Sequence, residues 1–220
     1  MAWTRWTQDL WTLEHPLVVG GLHMGARATA VRGPDGVTLI SAVPLAEPEV
    51  AELRGLGPVA SVVAPNLLHY LFAARAVSAV GGRLIGPAGL TEKGVRLDAA
   101  LGDGEAPWAG TLEQVTVQGV PKMGETVFFH PASRTLVVTD LCFNVVRSDS
   151  WFTRAFMSMN DAYGKFGPSR LFRTMVKDRA ALRESVDRIL ALDPDRIVTA
   201  HGDVLERGGK AALEQGFSWL

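Results

Sequence analysis

Apolar positions change their period several times along this chain, and each change marks an element. Leu17-Val18-Val19 reads as a short strand. Ala28 to Arg32 and Val37 to Val43 flank Gly33-Pro34-Asp35-Gly36, a turn sequence that predicts a hairpin. From Glu47 to Leu56 the spacing shifts to three, with Val50, Leu53 and Leu56 in phase, and Gly57-Pro58 stops the run. That is a helix. Ala60 to Ala64 is a strand, Leu68 to Val80 a helix closed by Gly81-Gly82, Arg83 to Ile85 a strand, and Pro87 to Lys93 a short helix.

A loop rich in Gly, Asp and Pro follows over Asp98 to Ala109. Strands are predicted at Leu112 to Val117, Thr126 to His130 and Thr135 to Thr139, the last two joined through Pro131-Ala132-Ser133. Arg147 to Arg179 reads as mostly helical with a break at Gly164 to Pro168. Ala180 to Leu192 carries Leu182, Val186, Ile189 and Leu190 on one face. A strand at Arg196 to Ala200 and a helix at Gly209 to Phe217 end the chain. The halves echo each other: hairpin, helix, strand, polar residue. Two mixed sheets face to face with helices outside satisfy that order, within one domain over residues 1–220.

Composition narrows the function classes. Twenty-two Lys and Arg stand against 23 Asp and Glu, so the chain has no global basic field for nucleic acid. The single cysteine, Cys142, excludes an intramolecular disulfide and a Cys-rich zinc site. The amino terminus lacks the apolar core of a signal peptide, and no apolar run reaches the ~20 residues that cross a bilayer. The expectation is a soluble cytoplasmic protein without a transmembrane segment. Trp3, Trp6 and Trp11 are expected to pack the terminus onto the domain. Gly81-Gly82 and Gly86-Pro87 lack the Gly-Lys-Ser/Thr ending of a phosphate loop.

Three polar residues share one placement. His69 follows the strand ending at Ala64, Asp140 follows Thr135-Leu136-Val137-Val138-Thr139, and His201 follows Ile197-Val198-Thr199-Ala200. In α/β proteins the carboxyl ends of strands are where chemistry is usually placed. Two imidazoles and a carboxylate suffice for a catalytic zinc or an iron with open positions. The bland alternative is three loop residues that cap helices.

The contexts of these residues, VVAPNLLHYLF, then Gly119-Val120-Pro121, then LVVTDL, then IVTAHGD, resemble the metallo-β-lactamase superfamily from about Leu17 to Asp203. The likeness is to a branch in which Pro-Asn replaces the first metal-binding histidine. It implies an αββα sandwich with metals at the sandwich edge, commonly two zinc ions in a hydrolase. Laid on this chain from Pro65, the superfamily's HxHxDH motif places its leading histidines at Pro65 and Leu67, its aspartate at His69 and its last histidine at Tyr70. A later histidine falls at Val120, the bridging aspartate at Asp140 and the final histidine at His201. The three lost histidines belong to one metal position, and His69, Asp140 and His201 to the other. The resemblance therefore implies at most a mononuclear site, with Tyr70 nearby as a fourth ligand or, better, a proton donor.

Hairpin register separates two further candidates. With Pro131 to Ser133 as the turn, His130 pairs at the closed end and lies roughly 17 Å along the strand from Asp140. Glu125 falls opposite Asp140. It reads either as a ligand or general base, or as an exposed glutamate at the strand start. His15 and His23 read as surface or core residues, and Cys142 as a small buried one.

Arg147 to Arg179 holds seven Lys or Arg and three Asp among six aromatic residues. Helices covering the sheet are the first reading, a lid over the site the second, and a dimer or membrane surface the third. Two functions of different class follow. One is a metal-dependent hydrolase with a single divalent ion, zinc before iron, on His69, Asp140 and His201. Asp140 or Glu125 would orient water, and the substrate would be a small ester, lactone or phosphoester. The other is a metal-free member of the fold that binds a ligand or a partner, a second copy of the chain among them.

Overall fold

Gly33-Pro34-Asp35-Gly36 closes a hairpin, as its turn chemistry requires. In the computed structural model Gly33 pairs with Gly36 and Thr29 with Ile40. Gly36 has φ 127°, and a Cβ there would collide with the Pro58 carbonyl, so only glycine serves. The structure describes residues 2–102 and 106–220; residues 103–105, inside the expected loop, lie outside the described residues. The chain divides into two compact units, Met1–His15 with Arg27–Glu113, and Pro16–Ala26 with Gln114–Leu220.

β1 (Thr4–Arg5) and β2 (Leu10–His15) begin the first unit, and a ribbon of β3 (Val18–Val19) and β4 (Leu22–His23) belongs to the second. The first then continues through β5 (Ala26–Gly33), β6 (Gly36–Ile40), α1 (Glu47–Leu56), β7 (Val59–Val63), α2 (Ala73–Val80), β8 (Arg83–Gly86) and β9 (Ala99–Ala100). Its sheet runs β1-β2-β5-β6-β7-β8-β9. Pairs β1–β2 and β5–β6 are antiparallel; β6 to β9 are parallel. Parallel neighbours need crossovers; α1 and α2 supply the first two, and the expected short helix, a 3₁₀ helix at Ala88–Lys93, lies in the third. The amino terminus packs down as expected. Trp3 Nε1 donates to the Glu49 carbonyl at 3.0 Å, Trp6 Nε1 to Thr12 Oγ1 at 2.8 Å, and Trp11 is buried with the Arg5 and Arg32 guanidinium groups over its ring. β2 itself escaped the pattern reading. Leu10, Trp11, Thr12 and Leu13 are all buried, and a strand buried on both faces shows no alternation.

The second unit continues with β10 (Glu113–Thr116), β11 (Thr126–His130), β12 (Thr135–Val138), α3 (Trp151–Met159), α4 (Arg170–Met175), α5 (Arg179–Ala191), β13 (Arg196–Thr199) and α6 (Gly209–Gly216). Its sheet is β10-β11-β12-β13, with β11–β12 antiparallel and β12–β13 parallel. The predicted apolar face of α5 is the one it buries: Leu182, Val186 and Ile189 join Leu136, Val138 and Ile197 in one core.

Two expectations are corrected. The helix expected from Leu68 begins only at Ala73, because Asn66 Oδ1 accepts the Leu68 and His69 amides and holds a local turn. The stretch from Arg147 to Arg179 is helical only in α3 and α4. Between them Tyr163 bridges Val145 and Gly167 bridges Phe143, so backbone pairing with the segment after Asp140 replaces helix.

Leu136 is fully buried at the centre of the second unit's core. Leu136→Ala should lower the unfolding free energy by about 2–5 kcal/mol in urea denaturation.

Candidate metal centre

The loop that carries Asp140 is shaped by a buried carboxylate. Glu125 is 0% exposed, and its two oxygens accept the amides of Thr139 at 2.7 Å, Asp140 at 2.9 Å and Leu141 at 2.9 Å. The register of the β11–β12 hairpin, Phe128 against Val137, carried three residues further sets Glu125 opposite Asp140, as expected from sequence. The burial corrects one sequence reading: Glu125 is not an exposed strand-start residue, and its oxygens accept backbone amides. A carboxylate accepting three amides fixes the backbone on which Asp140 stands.

His201 is fixed from three sides. Its Nδ1 lies 2.8 Å from the Gly25 carbonyl, its ring stacks on Phe143 with centroids 5.6 Å apart and planes at 11°, and it is 5% exposed. A carbonyl only accepts, so Nδ1 carries the proton, and in the neutral ring Nε2 is the basic nitrogen. Nε2 faces Asp140 Oδ1 at 3.7 Å. That is too long for a hydrogen bond. It matches two ligands of one ion, since bonds of about 2.0–2.2 Å at roughly 110–130° put their atoms about 3.3–3.9 Å apart. The pattern of Nδ1–H to a carbonyl with Nε2 turned inward is how metal-binding histidines are commonly oriented.

The strand end before His201 is tied to residues that sequence reading passed over. Asn144 N donates to the His201 carbonyl at 3.2 Å, and Asn144 Nδ2 to the Asp203 carbonyl at 2.9 Å. Thr199 Oγ1 donates to both of those carbonyls. Gly202 sits at φ 88° against the Asn144 backbone, where a Cβ would overlap the carbonyl. The signal was a polar Asn144 in the apolar run Cys142-Phe143-Asn144-Val145-Val146; nothing in the sequence marked Gly25.

His69 belongs to the first unit. It sits in the Asn66 turn rather than on a helix, with Nδ1 2.8 Å from Ser41 Oγ. Ser41, just past β6, is buried and has φ 56°, which ends the strand at Ile40 and not at Val43. A hydroxyl can serve either ring tautomer. Tyr70, also in this unit, is half-buried with Lys93 Nζ 5.3 Å from its ring centroid. Lys93 Nζ also donates to the Leu67 carbonyl at 2.7 Å.

Other candidates take structural places. His130 pairs with Thr135 at the closed end of the hairpin, and its Nδ1 is 2.8 Å from Ser133 Oγ. His15 is half-buried and His23 exposed. Cys142 is 0% exposed; burial, with the Glu125 charge adding to it, pushes its thiol well above the usual range. The positions of the lost histidines are apolar and packed: Pro65 is buried, Leu67 half-buried, and Val120 lies in the second unit's core.

No family model and no curated protein matches the chain. Solved structures do. A metallo-β-lactamase from Erythrobacter litoralis with β-mercaptoethanol in its active site is 14% identical, with TM-score 0.69 over 98% of this chain and 94% of that one. A metallo-β-lactamase from Pontibacter korlensis is 15% identical, with TM-score 0.67 over 98% and 96%. FIM-1 from Pseudomonas aeruginosa in its mono-zinc form is 15% identical, with TM-score 0.66 over 97% and 92%. The likeness shows the metallo-β-lactamase fold, the αββα class expected from the sequence. Among the described residues, no helix is long and apolar enough to cross a membrane.

Glu125→Gln leaves one acceptor oxygen and turns an amide donor toward backbone N–H groups. It should cost roughly 2–4 kcal/mol of stability in urea denaturation; a loss below about 1 kcal/mol would show that the three bonds do not hold the loop. Cys142 should resist a thiol reagent in the folded protein at about pH 8 and react fully once denatured.

Proposed function

We propose that this chain is a metal-dependent hydrolase with a mononuclear centre, one divalent ion being held by His69, Asp140 and His201. The observation that carries the reading is the pair in the second unit: His201 Nε2 set as the basic nitrogen by the Gly25 carbonyl, facing Asp140 Oδ1 at 3.7 Å. The donor set fits the ion. Two imidazoles and a carboxylate are neutral and anionic donors suited to zinc first and iron second. A mono-zinc form is recorded for FIM-1, a structure of the same fold.

When bound, such an ion supplies Lewis acidity toward a substrate oxygen and lowers the pKa of water. The protein's own residues do the rest. Glu125 holds the Asp140 backbone and so acts as a positioning residue, not as the base. Asp140 both ligates and orients water. Tyr70 serves as proton donor to the leaving group. The substrate is a small ester, lactone or phosphoester, and the excess of basic residues in 147–179 favours an anionic one. A second reading, a metal-free ligand-binding protein, is favoured by the apolar packing of Pro65, Leu67 and Val120.

Metal analysis decides between them. After growth with added zinc or iron, the protein should carry close to one equivalent, and His201→Ala and His69→Ala less than about a tenth, with wild-type circular dichroism. An unloaded wild-type protein would establish the metal-free reading. With a hydrolysed substrate in hand, Tyr70→Phe should lower kcat about 10²-fold or more with the metal retained.

A further inference from the structure

α3 (Trp151–Met159) has two apolar faces, and only one is covered. Thr153 and Met157 are buried, with Phe156 and Asn160 half-buried beside them. Phe156 and Met157 pack with Phe143, Val145 and Ala162. This is the sheet-covering role expected of the segment. On the opposite side, at 100° per residue, Trp151, Phe152, Ala155 and Met159 fall within about 100° of one another. All four are exposed, Trp151 at 72% and Met159 at 69%.

The stripe continues onto the β3–β4 ribbon. The Phe152 ring lies over Gly21, where an added Cβ would sit 3.6 Å from it, and the His23 amide donates to Thr153 Oγ1 at 2.9 Å. Val18 and Val19 of this ribbon point outward, 55% and 52% exposed. Exposed apolar residues grouped on neighbouring elements in this way mark a docking site more often than singly scattered ones do.

Its rim is cationic. Arg147 precedes the helix with its side chain 86% exposed. Arg154, on α3 beside the stripe, donates to the Ser148 and Asp149 carbonyls. Arg170 reaches the Met159 carbonyl at the helix end. The acidic neighbours include Asp149, Asp203, which is 3.5 Å from Arg147, and Asp161, whose carboxyl is held below its usual range by Lys165 first and by Arg170 and Arg173 as well. Across residues 147–179 seven basic residues face three acidic, whereas the rest of the chain has 15 basic and 20 acidic. Three of the seven, Arg147, Arg154 and Arg170, lie at α3, whereas Arg173 and Arg179 stack on Trp219.

We propose that this face docks the protein on an anionic lipid surface. Trp151, Phe152 and Met159 enter the interfacial layer, and Arg147, Arg154 and Arg170 meet lipid phosphates. An exposed tryptophan beside arginines is suited to that layer, where aromatic rings and long cationic side chains both find their polar and apolar ends satisfied. A second copy of the chain fits less well. A two-fold interface would set the arginine rim against itself, on a stripe of one short helix and a ribbon tip.

Co-sedimentation of the full chain with vesicles tests this, using phosphatidylcholine alone and phosphatidylcholine with about a third phosphatidylserine. Binding should appear on the anionic vesicles and weaken with salt. Each basic residue near such a surface is worth roughly fivefold, so Arg147→Glu with Arg154→Glu should reduce binding at least about tenfold. Trp151→Ser with Phe152→Ser should do the same, with an unchanged thermal midpoint. Three results would overturn the proposal: no binding to anionic vesicles, binding that both double variants retain, or a solution dimer that dissociates in Trp151→Ser/Phe152→Ser.

Discussion

The candidate centre depends on one buried anion. Glu125 sits at the start of β11 with both carboxylate oxygens turned to the backbone of residues 139–141, and no part of it is exposed. Placing a charge inside a protein is costly unless donors surround it. Here three amides do so, at the point where β12 ends and its backbone loses sheet partners. One interaction thus satisfies three amide donors and sets the direction in which Asp140 leaves the strand. The proposed ligand is positioned by a residue that touches no substrate.

His201 is positioned by a different device with the same effect. The Gly25 carbonyl fixes the proton on Nδ1, Phe143 fixes the ring plane, and Gly202 lets the chain turn against Asn144 where no side chain would fit. Each fixes one degree of freedom. In the first unit, Asn66 and Ser41 do comparable work on His69, one through the backbone and one through the ring. Such supporting contacts, as much as the ligands, give a site its geometry.

The positions that depart from the superfamily pattern tell a consistent story. Val120 is packed in a core with Met123, Leu182 and Phe172, and Pro65 is buried before the Asn66 turn. Apolar side chains there contribute packing at positions where the superfamily pattern has ligands. The proposed ligands are two imidazoles and a carboxylate. On α3 the stripe stays exposed even though Phe152 lies over Gly21, which is why it reads as a surface for something outside the chain.

Much was legible in the residue order. Periodicity located α1 and the apolar face of α5, turn chemistry fixed both hairpins, and register put Glu125 opposite Asp140 and His130 at the closed end. These are local rules, applied to side chains a few residues apart. They failed where burial erased alternation, as in β2, and where a side chain outcompeted the helix, as Asn66 does before α2. Residue types and strand-end placement also nominated His69, Asp140 and His201, the ligands of the proposal. Only the tertiary structure decided what Glu125 does, which His201 nitrogen faces Asp140, and that Gly25, Ser41 and Asn144 support the candidates. Those facts rest on contacts between residues 14 to 176 apart in sequence, and no local pattern encodes which distant carbonyl or amide a side chain will meet.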